Sequence, residues 1–451
     1  MVYNEIVNVS KKGGTNMLFI GKKKVYQPKD LILSENHKIE YKPEKNMNTI
    51  VIGSHGTDFI KTNLLSKDCS YVVADTNFGL LSEFEHYLMQ VKPFYQVQYV
   101  DFKHPDLSMN YNPLWQLYTE QDVCEFATDL VTSRDPAIKD SSWINAIINF
   151  ITGSILFVKD TAPSRQCTIK NVIRISDVIQ EINRQECGYE EFMSKISALM
   201  EKSQRAFRYI KDALPENNHV RENLFLTVNE IAAPLKDEKL LYTLEYNDIW
   251  IKDIAKTKVA LFVIIDEMDH TYDFLNNILF KQIYKEIQNT KFVQEGFGPK
   301  EYVRFFFNHG DSYRVKDMQE ILSGCRKYDS SVVLSAQSES KLQTIYGEDI
   351  INDVTYVYTG TNDISTLKNI SDRTGHSIDE IQNMTDTILI FSPENSIIND
   401  NLYDYHNHPD YCTIKQTVKK QHCKEEGLSA DFITALLEGD DIDKLTGDKI
   451  K

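Results

Sequence analysis

The chain has 451 residues, enough for two or three domains at roughly 100–200 residues each. Hydrophobic residues make up 41% and charged residues 26%, an ordinary globular balance that calls for a sizeable core. Lys and Arg total 50 against 66 Asp and Glu, a net charge of −16, which argues against coating bare nucleic acid with the whole surface and leaves only a local basic patch for that work.

The N-terminal stretch "MVYNEIVNVSKKGG" has no apolar signal core, so secretion is not expected. The seven cysteines are odd in number and form no CxxC pair, which favours a reducing cytosol over a disulfide framework. The clearest basic run is "GKKKVYQPK" (21–29), with Tyr26 inside it. A solvated strand edge explains that run as well as a nucleic-acid contact does.

Next comes "NTIVIGSHGTDFIKTNLL" (48–65). An apolar strand, Thr49 to Ile52, runs into Gly53, with Gly56 three residues on and a helix beginning near Thr57 or Asp58. It starts like a phosphate-binding loop, but the lysine and hydroxyl residue that close a G-x-x-x-x-G-K-[ST] loop are missing. Further β-branched and aromatic runs predict buried strands at "SYVVAD" (70–75), "YQVQYVDF" (95–102), "VALFVIID" (259–266), "YVRFFFN" (302–308), "SSVVLSAQ" (330–337), "VTYVYTG" (354–360) and "DTILIFS" (386–392). Helical-period segments such as "YDFLNNILFKQIYKEIQ" (272–288) separate many of them. This alternation predicts an α/β fold with a mostly parallel sheet covered by helices on both faces.

Residues 114–250 read differently, with helical periodicity throughout, and are expected to form an all-α domain inserted between the third and fourth of these strands. Its apolar stretch Trp143 to Val158 is broken by Asn145, Asn149 and Thr152 and is shorter than the ~20 residues a membrane span needs, so a buried helix is expected. The predicted division is an N-terminal extension (1–43), a nucleotide-binding-like domain in two parts (44–113 and 251–411) around the insertion, and a C-terminal tail (412–451). In that tail Ser429 is placed to N-cap "ADFITALLE", Gly439 to stop it, and the acidic end to fray. No internal repeat is present.

The order "DLILSENHKIEY", "NTIVIG…NLL", "SYVVAD", "MNYNPLW" resembles the start of the soluble part of TraG-type coupling proteins, the ATPases of type IV secretion and conjugative DNA transfer. The resemblance continues through "KTKVALFVIIDEMDHTYDFLNNILFKQIY", "EILSGCRKYDSSVVLSAQSESKLQTIY", "ISDRTGHSI" and "YDYHNHPDY", over roughly residues 30 to 411. It implies a RecA-like P-loop NTPase fold with the inserted all-α domain. It also implies hexameric assembly on an N-terminal membrane anchor, and recognition of a relaxase–DNA complex for passage to the secretion channel. No anchor is read in this chain, so either it is a soluble branch or a membrane partner supplies one; a cytoplasmic location, peripheral to the inner membrane face through a partner, is expected.

The ATPase chemistry of the family needs a loop of phosphate-facing amides, a lysine, a Mg²⁺-binding hydroxyl and a carboxylate pair at the end of a second strand. What remains of the loop here is Gly53, Ser54, His55, Gly56, Thr57 and Asp58, about four residues short by the resemblance. Lys61 matches a later lysine of the family. The family's "VRFLLDEF" is "VRFFFNHG" here, so Asn308 stands for the Mg²⁺ aspartate and His309 for the glutamate. Arg326 matches an arginine that contacts a neighbouring subunit's nucleotide, Gln337 matches the sensor glutamine, and Asp75 matches the aspartate of "SYVVTDPKGEL", whose lysine is Asn77 here. A rival carboxylate pair, Asp266 and Glu267, ends "LFVIIDE"; a polar strand end leading into a helix is the simpler reading of it.

No metal site is predicted. His55, Asp75, His309 and Asp311 lie where they could converge, but solvated loop residues account for them. His406, His408, Cys412, His422 and Cys423 have zinc-compatible side chains at a spacing that matches no standard site. The helix carrying Arg205, Arg208 and Lys211 is the expected cargo-facing surface, by analogy with the family. The expectation is therefore a degenerate, non-hydrolysing coupling protein acting as a structural or cargo-adaptor subunit, with no cofactor. The expected partners are a relaxase or other secretion substrate, DNA, and an active paralogue or membrane-anchored subunit in a homo- or hetero-hexamer. The alternatives are an ATPase holding ATP and Mg²⁺ in a site rearranged around Asp266 and Glu267, and a nucleotide-independent DNA-binding module.

Overall fold

The computed structural model describes residues 4–12, 15–22, 30–42, 45–76, 78–90, 92–134, 141–185, 188–293, 301–384, 387–392 and 396–414. Most of the basic run at 21–29, together with Asn77, His422, Cys423 and the predicted tail helix, lies outside the described residues.

A β-ribbon, β1 (Asn4–Lys12) with β2 (Thr15–Lys22), and a short hairpin, β3 (Leu31–Ile32) with β4 (Lys38–Ile39), precede the main body. Each of the predicted strands is present: β5 (Thr49–Ile52), β6 (Ser70–Thr76), β7 (Gln96–Val100), β8 (Val259–Ile265), β9 (Val303–Phe307), β10 (Ser330–Ala336), β11 (Thr355–Tyr358) and β12 (Thr387–Phe391). The sequence reading missed β13 (Ile397–Asn401), whose "IINDN" is half polar because it forms the sheet edge. The nine strands lie in the order β13-β12-β11-β5-β10-β9-β6-β8-β7. From β11 to β7 all neighbours are parallel, while β12 and β13 fold back as an antiparallel pair.

Both faces of this sheet are covered, which is why β8, β9 and β10 read as unbroken apolar runs rather than alternating ones. Period-two alternation still decides which side each residue serves. Val51, Val73, Phe262, Phe306 and Val333 meet the layer containing α1 (Gly56–Leu65) and α2 (Gly79–Gln90). Ile50, Ile52, Val72, Val263, Phe305, Phe307 and Leu334 face the opposite layer.

That second layer holds α10 (Asp273–Val293), α11 (Met318–Cys325), α12 (Glu339–Tyr346), α13 (Ile364–Thr374) and the short α14 (Ile378–Gln382). Between β7 and β8 come α3 (Glu120–Arg134), α4 (Ser141–Thr161), α5 (Ile169–Asn183), α6 (Tyr189–Leu199), α7 (Gln204–Ala213), α8 (Asn218–Ala232) and α9 (Glu238–Thr243). Their core is continuous with that of the sheet's second face. Helix α4 is long and apolar enough to cross a membrane by length and composition, but it packs against α3, α5, α7 and α8. Lys285 bonds Asp122 and Glu125, and Lys281 bonds Asp129, so ion pairs join α10 to α3.

Parallel strands deliver all their C-terminal ends to one edge. The turns after β5, β6, β8, β9 and β10 therefore meet there, where an open α/β sheet places its ligands.

Candidate nucleotide-type site at the sheet edge

Only Gly53, Ser54 and His55 separate β5 from α1. Their amides turn toward the protein. Gly53 N–H donates to the Ala336 carbonyl at 2.8 Å, Ser54 N–H to the Gly360 carbonyl at 2.8 Å, and His55 N–H to Thr359 Oγ1 at 3.4 Å. In the first turn of α1, Asp58 places a carboxylate at the positive end of the helix, 3.4 Å from His55 Nδ1. Lys61 points elsewhere: its Nζ pairs with Glu83 at 2.8 Å and lies over the Tyr405 ring.

The end of β9 locks onto this turn through side chains. Asn308 is buried, and its Oδ1 accepts from Thr57 Oγ1 at 2.9 Å and from Ser335 Oγ at 3.1 Å. His309 sits in the left-handed region at φ 50°, an arrangement that costs a non-glycine residue energy and is over-determined here by its neighbours. Its N–H donates to Ser335 Oγ at 3.1 Å. Its Nδ1 lies 2.7 Å from Glu267 Oε1, and its Nε2 lies 3.3 Å from Thr57 Oγ1. Thr57, Asn308, His309, Ser335 and Glu267 thus form one hydrogen-bonded cluster across four elements.

Other predicted residues do not join it. Asp75 is fully buried and accepts from the Leu80 and Leu81 amides at 3.1 and 2.8 Å, capping α2. Asp311 accepts from the Gln337 and Ser338 amides at 3.1 and 3.2 Å. His55, Asp75, His309 and Asp311 each have a partner of their own, and Asp75 is buried where a solvated loop residue was expected; no group of three or more His, Cys, Asp and Glu that could hold a metal exists among the described residues. His406 pairs with Asp404, and His408 Nδ1 accepts from the Asp410 amide.

The rival pair is split. Asp266 bonds Lys103 Nζ at 2.5 Å and accepts from the Met268 and Asp269 amides. The Lys103 contact and those N–H groups hold its carboxyl down at about 2. Glu267 is the member that reaches the site. Gln337 is exposed at the same edge, whereas Arg326 is exposed beyond α11, at the opposite end of β10. On α7, Arg205 is clamped by Asp160 and Arg208 by Glu120, so two of the three expected cargo-facing cations are already matched.

Sequence reasoning missed Ser335, Thr359 and Gly360. Each lies on a strand or turn far from the loop in the chain, and only the sheet order brings them to it.

Burial dominates the environment of Asp75 and lifts its carboxyl to about 6, against the pull of the two amides and of Lys61. A raised folded value means that stability is lost as pH climbs from about 4 through 6. Asp75→Asn keeps an acceptor for the α2 amides and removes that penalty. Its stability relative to the parent chain is expected to rise by up to roughly 2–3 kcal/mol between about pH 4 and 7, read by urea denaturation. A pH-independent difference would refute the assignment.

The sequence matches the family described as type IV secretory system conjugative DNA transfer over residues 53–400. Among solved structures, TrwBdeltaN70, described as a bacterial conjugative coupling protein and crystallised with sulphate, superposes with a TM-score of 0.59 at 14% identity, covering 84% of this chain and 90% of that one. The plasmid coupling protein TrwB in complex with ADP and Mg²⁺ gives a TM-score of 0.59 at 13% identity, over the same shares of the two chains. Its complex with the ATP analogue ADPNP gives 0.60 at 12%, again over 84% and 90%. No curated protein matches the sequence. The fold is the RecA-like P-loop ATPase fold.

Proposed function

Because the chain belongs to the conjugative DNA-transfer family of type IV secretion, we propose that it works there as a non-hydrolysing coupling subunit, structural or cargo-adapting, whose phosphate site is filled by its own side chains. The observation that carries this reading is the direction of the turn amides. Gly53, Ser54 and His55 spend their N–H groups on Ala336, Gly360 and Thr359, and so withdraw from a phosphate three of the loop donors a P-loop offers. Two further features agree with it. Asp58 repels a polyphosphate at the helix end, and Asn308, uncharged, is engaged by two hydroxyls where a Mg²⁺ ligand is required. TrwB was crystallised with ADP and Mg²⁺; the residues at the corresponding edge of this chain do not fit that group.

On this reading the protein's work lies in surfaces rather than turnover. Its partners are a secretion substrate or relaxase with its DNA, and a catalytically active or membrane-anchored subunit in a shared ring. On this reading Arg326, exposed away from its own site, serves a neighbour's, as the family resemblance implies.

The test is titration with a fluorescent ATP analogue, with and without Mg²⁺, alongside phosphate release and thermal unfolding. A ligand at a hundred times its Kd stabilises a protein by about 2.7 kcal/mol. The expectation here is no stabilisation and no release. Mg²⁺-dependent release that Glu267→Gln abolishes would overturn the proposal in favour of an ATPase rearranged around Asp266 and Glu267.

A further inference from the structure

A cleft of about 610 Å³ lies between α3, the start of α10 and the segment that follows β9. Its size falls in the range of small-ligand sites. Two cations project from one wall. From Tyr313 to Lys316 the chain alternates, with Tyr313 and Val315 buried and Arg314 and Lys316 turned outward. This wall is held in place. Asn277 on α10 donates to the Arg314 carbonyl at 3.0 Å and accepts from Lys316 N–H at 2.7 Å, while Tyr346 accepts from Val315 N–H at 3.1 Å.

Of the acidic and basic side chains that line the cleft, Arg314 and Lys316 are cations and Asp273 is a carboxylate. Lys316 shares Asp129 with Lys281, both at 2.6 Å, and the half-met charge this leaves is offset one turn along α10, where Lys285 takes both Asp122 and Glu125. Arg314 is exposed. Opposite them, Asp273 carries the single carboxylate of the lining and is paired with His270 at 2.9 Å. Thr132 and Ser133 supply hydroxyls. On a chain of net charge −16, a preformed cleft lined by two cations to one carboxylate, with an exposed arginine fork among them, suits an anion.

We propose that this cleft holds the phosphate of a small phosphorylated ligand, with Arg314 as the bidentate contact and Lys316 as the point charge beside it. The segment that bears both cations begins at His309, so occupancy of the cleft is positioned to be felt at the sheet edge. This site is separate from the β5–α1 turn and stands whether or not that turn binds nucleotide.

The probe is inorganic pyrophosphate, titrated calorimetrically into the full chain at low salt. One site is expected, weakened at least tenfold by Arg314→Gln, whose exposed side chain can be replaced without disturbing the fold. Asp273→Asn removes the opposing charge and is expected to tighten binding several-fold, a gain that a merely structural role would not produce. Absence of pyrophosphate binding, or binding indifferent to Arg314→Gln, would overturn the assignment. Binding lost in Glu267→Gln and kept in Arg314→Gln would move the anion to the β5–α1 turn and overturn it equally. A single-stranded oligonucleotide that binds through Arg314 where pyrophosphate does not would replace the small ligand by a DNA backbone.

Discussion

Arg304→Met is expected to remove about 3–5 kcal/mol of folding stability. Arg304 sits on β9 with no solvent exposure and pairs with Asp68, also wholly buried, at 3.3 Å. Among the described residues the Asp68 carboxylate keeps the Tyr71 hydroxyl, at 2.7 Å, and the Cys69 thiol once the guanidinium is gone, with the Lys258 ammonium nearby on the Asp68 carbonyl. A carboxylate left in that surrounding has lost its paired cation and has no exposure to water. The loss is moderated because Arg304 Nε and Nη2 meet no acceptor among the described residues, so the parent chain already carries a desolvation cost there. The double change Arg304→Met with Asp68→Asn is therefore expected to recover a sizeable part of the loss. Urea denaturation of the two single variants and the double variant decides the matter. A single-variant loss below about 1 kcal/mol, the average for any substitution, would mean that the pair is not what holds this end of β9 against β6.

Gly53→Ala is expected to cost about 3 kcal/mol or more, from two sources that add. The residue adopts φ 132°, a region open to glycine alone. A Cβ built there would lie 2.4 Å from the Gly360 carbonyl oxygen and 2.8 Å from the Thr359 carbonyl carbon, both backbone atoms that cannot step aside. Gly79→Ala is the control, since a Cβ at Gly79 meets nothing within 4 Å and alanine favours the helix it begins. Equal stability of the two variants would show that the β5–α1 turn is not pinned against the β11 turn, and would reopen it as a phosphate loop.

Gly53 also marks how far the sequence could be read. The residue invites attention as a glycine after a buried strand, and it is indispensable in the structure. Its reason is different: it lets the turn after β11 press against the turn after β5, not a phosphate. The same holds for Glu267. Its place after an apolar run suggested half of a carboxylate pair, yet its partner is His309, and Asp266 is bound to Lys103. Arg205 and Arg208 read as a free cationic face because their carboxylate partners, Asp160 and Glu120, are 45 and 88 residues away in the chain.

The sequence alone determined eight of the nine strands of the main sheet, the helical insertion between β7 and β8, the parallel class of the sheet and the family. These follow from apolar periodicity, the alternation of element types and the order of quoted segments, all of which are written locally along the chain. That no G-K-[ST] follows Gly53 and that Asn308 and His309 follow β9 was equally plain, because it is a matter of residue identity. What those residues bond to was decided by tertiary structure. The strand order sets β10 between β5 and β9, and thereby brings Ser335 to both Asn308 and His309. It also sets β10 and β11 on either side of β5, which gives the turn amides their acceptors. Hydrogen bonds between residues some 250 to 300 positions apart leave no periodic trace in a sequence, since any polar residue at a strand end satisfies the same local pattern.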